Sequence, residues 1–233
     1  MTRGADYGAM TTLLSDAAPE VITQYAPMRA VLSLVDRVAA TDAPVLIIGP
    51  SGSGKNLLAR VIHRLSGRAG PFVEVDGAGM GGVGTARLER LLELASCGTL
   101  YVESLARMSM RLQARLVTAM SDVRFIAAAA RDVDDELRDG RIHSDMAAHL
   151  GTVKIELPPL AERAVDIPLL AEHFLSQLAG PFGPVLTPEA VAALEEHSWP
   201  GNVRELATVL ERAVLLARGH PEIRARDLVL PGA

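Results

Sequence analysis

Gly49-Pro50-Ser51-Gly52-Ser53-Gly54-Lys55-Asn56 follows the apolar run Val45-Leu46-Ile47-Ile48 and precedes Leu57-Leu58-Ala59-Arg60-Val61-Ile62. Strand, glycine loop and helix therefore come in the order a phosphate cradle requires. Closely spaced glycines let consecutive backbone N–H groups turn inward around a phosphate. The helix that follows adds its positive N-terminal end, and Lys55 supplies a mobile cation for the outer phosphates. A GxxxxGK between a strand and a helix is a far more specific signal than a lone glycine pattern. The eight residues predict nucleotide binding. Asn56 departs from the generic pattern, because a Ser or Thr hydroxyl commonly holds Mg²⁺ there; any metal must lean on water or on other residues.

Outward from that loop, strands and helices alternate. Met28, Val31, Leu32, Leu34, Val35 and Val38 recur at helical spacing before the first strand. Phe72–Val75 reads as a second strand, followed by a glycine-rich stretch over 77–84 and a helix at about 86–95. Thr99–Val102 reads as the third strand, then a helix from about Ser109 to Met120, a fourth strand at Val123–Ala128 and a fifth at Val153–Leu157. This order predicts an α/β fold, a parallel sheet with helices on both faces. After Pro158-Pro159 only helices are evident: about Ile167–Leu178, one opened by the cap Thr187-Pro188-Glu189, and one after Trp199-Pro200-Gly201-Asn202. The organisation expected is a loose leader over 1–20, a nucleotide-binding α/β domain over 21–160 and a small all-helical lid over 161–233.

The composition, 49% hydrophobic with a net charge of −5, fits a buried globular core and argues against a dedicated nucleic-acid-binding face. No apolar stretch approaches the ~18 residues of a membrane span. The first residues, Met1 to Asp6, lack the apolar core of a signal peptide. The single cysteine, Cys97, cannot close an internal disulfide, so a cytoplasmic location is expected.

Several segments together resemble the AAA+ domain of bacterial enhancer-binding proteins, the ATPases that remodel RNA polymerase carrying sigma-54. They are Asp42-Ala43-Pro44-Val45-Leu46-Ile47, the phosphate loop, His63-Arg64-Leu65-Ser66, Pro71-Phe72-Val73, Gly98-Thr99-Leu100 and Val123–Ala128. Leu157-Pro158-Pro159-Leu160, Asp166-Ile167-Pro168-Leu169-Leu170 and the especially specific Trp199-Pro200-Gly201-Asn202-Val203-Arg204-Glu205-Leu206 complete the set. The resemblance runs in register from about Val21 to Leu230. It implies a P-loop AAA+ sheet with a helical lid, and ATP or ADP as the ligand with Mg²⁺ beside it. It also implies nucleotide contacts from Gly49 to Leu57, from Val21 and Ile22, and from Arg204 in the lid.

Several working positions of the family are occupied differently. Where the family's third strand ends in Asp-Glu, for Mg²⁺ and for the attacking water, this chain has Glu103 and Ser104. Glu103 keeps a carboxylate that could serve the metal, whereas Ser104 cannot act as a carboxylate base. Asp76 replaces the family's restraining Asn, and Ala130 replaces its sensing Asn. His143 and His149 fall where two arginines reach the neighbouring subunit's ATP, and imidazole is a poor replacement for a forked guanidinium. Losing such an arginine costs ~10³–10⁵ in turnover in phosphoryl-transfer systems.

The stretch from Val75 to Gly98 is short and carries no Gly-Ala-Phe-Thr-Gly-Ala tip for sigma-54, and with the sequence ending at Leu230-Pro231-Gly232-Ala233 a helix-turn-helix after the lid is not expected. The expectation is an ATP- or ADP-binding regulatory protein, impaired in hydrolysis, that acts through an intact family partner or by self-association through the AAA+ subunit face. Direct sigma-54 contact, DNA binding and membrane binding are not expected. The alternatives are an active ATPase, with Glu103 or a residue not placed from the sequence as base and Arg131 or Arg141 as fingers, or a nucleotide-gated adaptor outside transcription. Among residues with blander readings, Cys97 is expected to pack and His143 and His149 to hold no metal. Arg107, Arg111 and Arg115 read as a solvated row opposite Met108, Leu112 and Leu116. Trp199 is expected to pack in the lid, and Glu162-Arg163 reads as a subunit contact or a surface ion pair.

Overall fold

The computed structural model describes residues 21–80, 85–130, 133–217 and 219–231. The expected leader over 1–20, Gly81–Gly84 of the glycine stretch, and Arg131 lie outside the described residues. The elements run α1 (Ala26–Ala39), β1 (Val45–Ile48), α2 (Lys55–Leu65), β2 (Phe72–Asp76), α3 (Thr85–Leu94), β3 (Thr99–Glu103), α4 (Met110–Ala119) and β4 (Arg124–Ala129). Then come α5 (Val133–Arg138), α6 (Ser144–Leu150), β5 (Lys154–Glu156), α7 (Ile167–Ala179), β6 (Val185–Leu186), α8 (Pro188–Glu196), α9 (Asn202–Leu216) and β7 (Glu222–Ile223). A five-stranded parallel sheet in the order β2-β3-β4-β1-β5 forms the α/β domain.

Strand β1 is buried at every residue, and β3 and β4 are buried along nearly their whole length. Continuous apolar strands of this kind belong in a sheet covered on both faces. Leu32, Val35, Leu58, Ile62 and Ile126 fill one side under α1 and α2, while Leu88, Leu100, Leu112, Leu116, Phe125 and Met146 fill the other under α3, α4 and α6. Side chains so enclosed contribute roughly 1.5–3 kcal/mol each relative to exposure. A charge also lies within this layer. Arg124, at 1% exposure, donates to the carbonyl oxygens of Ala39 and Val38, both at 2.8 Å. These carbonyls lie at the C-terminal end of α1, where Val38 O also accepts from Thr41 N at 3.0 Å, so a guanidinium there adds to the helix cap and complements its dipole.

Beyond Pro159 the helices α7, α8 and α9 enclose a second core around Leu194, Trp199, Leu206 and Leu210. Trp199 packs there as expected, its indole N–H donating to Leu194 O at 2.8 Å. Thr187 caps α8 by accepting from Ala190 N. A two-stranded parallel ribbon, β6 with β7, also stands in the lid where the sequence suggested helices only. Strands of two residues are too short to show alternation. Helices α5 and α6 were likewise unannounced, since six or seven residues span fewer than two apolar repeats. Cys97 is exposed rather than packed. It takes a left-handed conformation, φ 56°, in the turn before β3, where backbone of Gly70, Ser96 and Gly98 fills the inner side.

Candidate nucleotide site

The phosphate loop leaves β1 and is held from both sides by main-chain contacts. Lys55, only 8% exposed, folds over the loop and donates to the carbonyl oxygens of Gly49 and Pro50, each at 2.9 Å. Burial pushes its ammonium pKa down; the Glu103 carboxylate opposes that shift and Arg204 reinforces it, so all three groups share one field. Gly54 enters α2 with φ 107°, a conformation that favours glycine at the cradle's helix end. Ser53 Oγ is buried and has no hydrogen-bond partner among the described residues. An orphaned hydroxyl inside a glycine loop is a ready donor for a ligand oxygen.

The lid is bolted to this loop. A side chain at Gly52, φ 76°, would meet the carbonyl oxygen of Gly201 at 2.2 Å, so glycine is required there for both conformation and approach. Asn202, 2% exposed, accepts from Leu160 N at 2.8 Å and donates to Ser51 O at 2.9 Å. Arg204, at the start of α9, reaches Ser51 Oγ at 3.4 Å. Arg163 donates to Ser53 O at 3.1 Å and lies 4.0 Å from the carboxylate of Asp166. Asp166 in turn accepts from Thr23 Oγ1 and Gln24 N, both at 2.7 Å, and from Tyr25 N at 3.1 Å. Arg163 is therefore buried, at 3% exposure, and not part of a surface ion pair.

Two of the cavities beside the loop bear on a nucleotide. One, of about 270 Å³, is a largely apolar slot walled by Val21, Ile22, Leu57, Leu170, Phe174 and Val203, with Arg163, His173 and Gln177 on its polar edge. Its shape and chemistry suit a flat heteroaromatic base. Val21, Ile22 and Leu57, expected as nucleotide contacts, are brought together there. Leu170, Phe174, Val203 and Arg163 were missed, although the apolar period of α7 was visible. The other cavity, about 320 Å³, is a cleft on the Lys55 side of the loop whose lining suits outer phosphates, and it gathers Ser51, Lys55, Glu103, Ser104, Arg107, Ala129, Ala130 and Glu136.

Glu103 ends β3 in register with Asp76 at the end of β2. Asp76 is exposed and accepts from Ala78 N at 3.0 Å. Ser104 turns out of the strand with φ 55°, directing the chain into a short 3₁₀ turn, Leu105–Arg107. Asn56 is engaged elsewhere: its amide bonds to Glu74, and its carbonyl accepts from Arg60 Nε at 2.8 Å. One cleft-lining carboxylate at the expected metal position, with Asn56 tied to β2, fits a Mg²⁺ carried in by phosphate oxygens rather than one caged by the protein. Among the described residues no group of three His, Cys, Asp or Glu is placed to hold an ion.

His143 caps α6, accepting from Asp145 N at 3.3 Å, and His149 is exposed in its last turn. Arg141 pairs with Asp139 on the surface. The expected arginine row does not form. Arg107 lies in the turn before α4 and lines the cleft, and Arg115 is held bidentately by Glu89 at 2.7 and 2.8 Å.

A family model for the sigma-54 interaction domain matches residues 22–160, and one for the AAA+ ATPase lid domain matches 161–230. The chain belongs to the sigma-54 interaction domain family. Among relatives of this family, the nitrogen assimilation regulatory protein NtrX of Azorhizobium caulinodans is 37% identical over 229 residues, covering 84% of this chain and 50% of that protein. The transcriptional regulatory protein FlbD of Caulobacter vibrioides is 34% identical, covering 95% and 56%. This sigma-54 interaction domain chain thus spans about half the length of these curated relatives. Crystal structures of NtrX from Brucella abortus in complex with ADP and with ATP superpose with TM-score 0.78 at 32% identity. They cover 89% and 90% of this chain, and 55% and 56% of theirs. A RuvB mutant from Thermotoga maritima, 18% identical with TM-score 0.68, shares the fold. Among the described residues no helix is long and apolar enough to cross a membrane.

Proposed function

We propose that this chain binds ATP or ADP, hydrolyses ATP slowly or not at all, and acts as a nucleotide-responsive regulatory subunit on an intact enhancer-binding relative or a second copy of itself. The observation that carries the reading is the contrast between the two sides of the loop. A base slot, a glycine cradle with a buried lysine and a lid seated on the loop all stand ready for a nucleotide. At the hydrolytic side, the residue after Glu103 is a serine in a left-handed turn. The positions that the family uses for trans arginines carry His143 and His149. The ADP and ATP complexes of NtrX support the ligand class. The family's AAA+ assembly supports the partner class, and a subunit without arginine fingers would fill a ring position while withholding turnover from its neighbour.

A second reading is an active ATPase. Glu136 on α5 faces the same cleft as Glu103, which favours it by placing another carboxylate near the outer phosphates. One purified preparation separates the two. Equilibrium binding of ATP and ADP and steady-state phosphate release are measured for the wild type and Lys55→Ala. Binding that Lys55→Ala abolishes, with phosphate release at the variant's background, is expected. Release well above that background, lost in Lys55→Ala, establishes the active enzyme instead.

A further inference from the structure

The Leu105–Arg107 turn has a stronger framework than its exposed position requires. Its first residue is forced by the left-handed Ser104, and Arg107 N donates to Ser104 O at 2.9 Å. Leu105 is buried beneath it. Behind the turn stands Gln113, fully buried on α4 and with its amide engaged at both atoms. Its Nε2 donates to Met108 O at 3.0 Å and Arg141 O at 2.9 Å, and its Oε1 accepts from His143 N at 2.8 Å. A buried amide with its valences satisfied fixes the chain on both sides of it.

On this rigid mount sits Arg107, which lines the same cleft as Lys55, Ser51 and Glu103. Its guanidinium makes no hydrogen bond or ion pair among the described residues, in contrast to Arg115 on the same stretch of chain. A guanidinium left without a protein partner, on a residue that lines the cleft and is carried by a preorganised turn, has the fork geometry that a phosphate group accepts. We infer that Arg107 is a cation supplied within the chain for the terminal phosphate of a bound nucleoside triphosphate, and that it sets the preference for triphosphate over diphosphate. The inference rests on the nucleotide-binding reading above and adds its specificity: Lys55 serves phosphates common to both ligands, whereas Arg107 serves the one only the triphosphate has.

The test is calorimetric titration of the full chain with ADP and with the non-hydrolysable β,γ-imido analogue of ATP, each with Mg²⁺, for wild type, Arg107→Ala and Arg107→Lys. Thermal melting confirms that the variants fold, as expected for an exposed side chain. Arg107→Ala is expected to weaken the triphosphate analogue about ten- to a hundredfold, the range for one charge-assisted contact, while ADP changes less than about threefold. Arg107→Lys is expected to recover part of the loss. Equal weakening of both ligands, or no weakening of either, overturns the assignment. Absence of binding of both ligands to the wild type overturns the nucleotide reading itself and is distinguishable from those results.

Discussion

Asp166→Ala offers a sharp test of how the lid, the chain before α1 and the phosphate loop are joined. Its carboxylate is fully buried and accepts three hydrogen bonds from Thr23, Gln24 and Tyr25, with the Arg163 guanidinium 4.0 Å away. Alanine leaves Gln24 N and the Thr23 hydroxyl without that acceptor, leaves Tyr25 N only its bond to Thr23 Oγ1 at 3.1 Å, and strands a buried cation. Burial already holds the Arg163 pKa below the usual guanidinium range, with Asp166 opposing that shift, so removing the carboxylate takes away the cation's compensation. Breaking one half of a buried pair costs about 3–5 kcal/mol, against a total stability of about 5–15 kcal/mol. For a domain of this size that corresponds to a melting temperature lower by roughly 6–20 °C. Urea and thermal unfolding of the wild type, Asp166→Ala, Asp166→Asn and Asp166→Ala/Arg163→Met measure it. Asn retains one acceptor and is expected to fall between wild type and Ala. The double variant is expected to cost less than the sum of its parts, because methionine removes the stranded charge. A loss below about 1 kcal/mol in Asp166→Ala, or strict additivity, would refute the argument that Arg163 depends on this carboxylate.

Asn202→Ala removes the partners of Leu160 N and Ser51 O, and a loss of about 1–3 kcal/mol in urea unfolding, with weaker nucleotide binding, is expected. Gly52→Ala drives a methyl group toward Gly201 O in a backbone conformation that already disfavours side chains. It is expected to loosen the lid, read as faster proteolysis between the two cores and weaker ligand binding, and unchanged proteolysis would count against the close approach. Burial, with Arg124, Arg68 and Arg60 nearby, holds the His63 pKa below 6.5. The folded state therefore disfavours its protonation: the contribution is fully present above pH 6.5 and is lost as pH falls through the folded-state value. Replacing His63 by Gln should flatten that decline, and an unaltered pH profile of stability would contradict it. Cys97 is expected to react stoichiometrically with a thiol reagent in the native protein, and protection until unfolding would refute its exposure.

How much of this could be read from residues alone varied with the physics involved. The sheet was legible because parallel strands buried on both faces spell unbroken apolar runs, as Val45–Ile48 and Arg124–Ala129 do after their first residue. The cradle was legible because its function demands particular residue types at fixed spacing. The cap at Thr187 followed from side-chain chemistry local to the helix start. Arg163, Asp166 and Gln113 were not legible, since a polar residue announces its type but not its burial, and their partners lie far away in the chain. Thr23 is the partner of Asp166, and His143 that of Gln113. Arg107 is exposed as expected, but its i,i+4 row with Arg111 and Arg115 presumed a helix that begins only at Met110.

The lid addresses the phosphate loop chiefly through main-chain oxygens, those of Ser51 and Ser53, which Asn202 and Arg163 grasp. A carbonyl carries no memory of which side chain its residue bears. The identities of the loop's serines can therefore drift over evolutionary time without unfastening the lid, whereas any rotation of those peptide planes is felt at once. The junction is thus tolerant of substitution and intolerant of movement, so a loop that has changed its vocabulary can still report a change of posture.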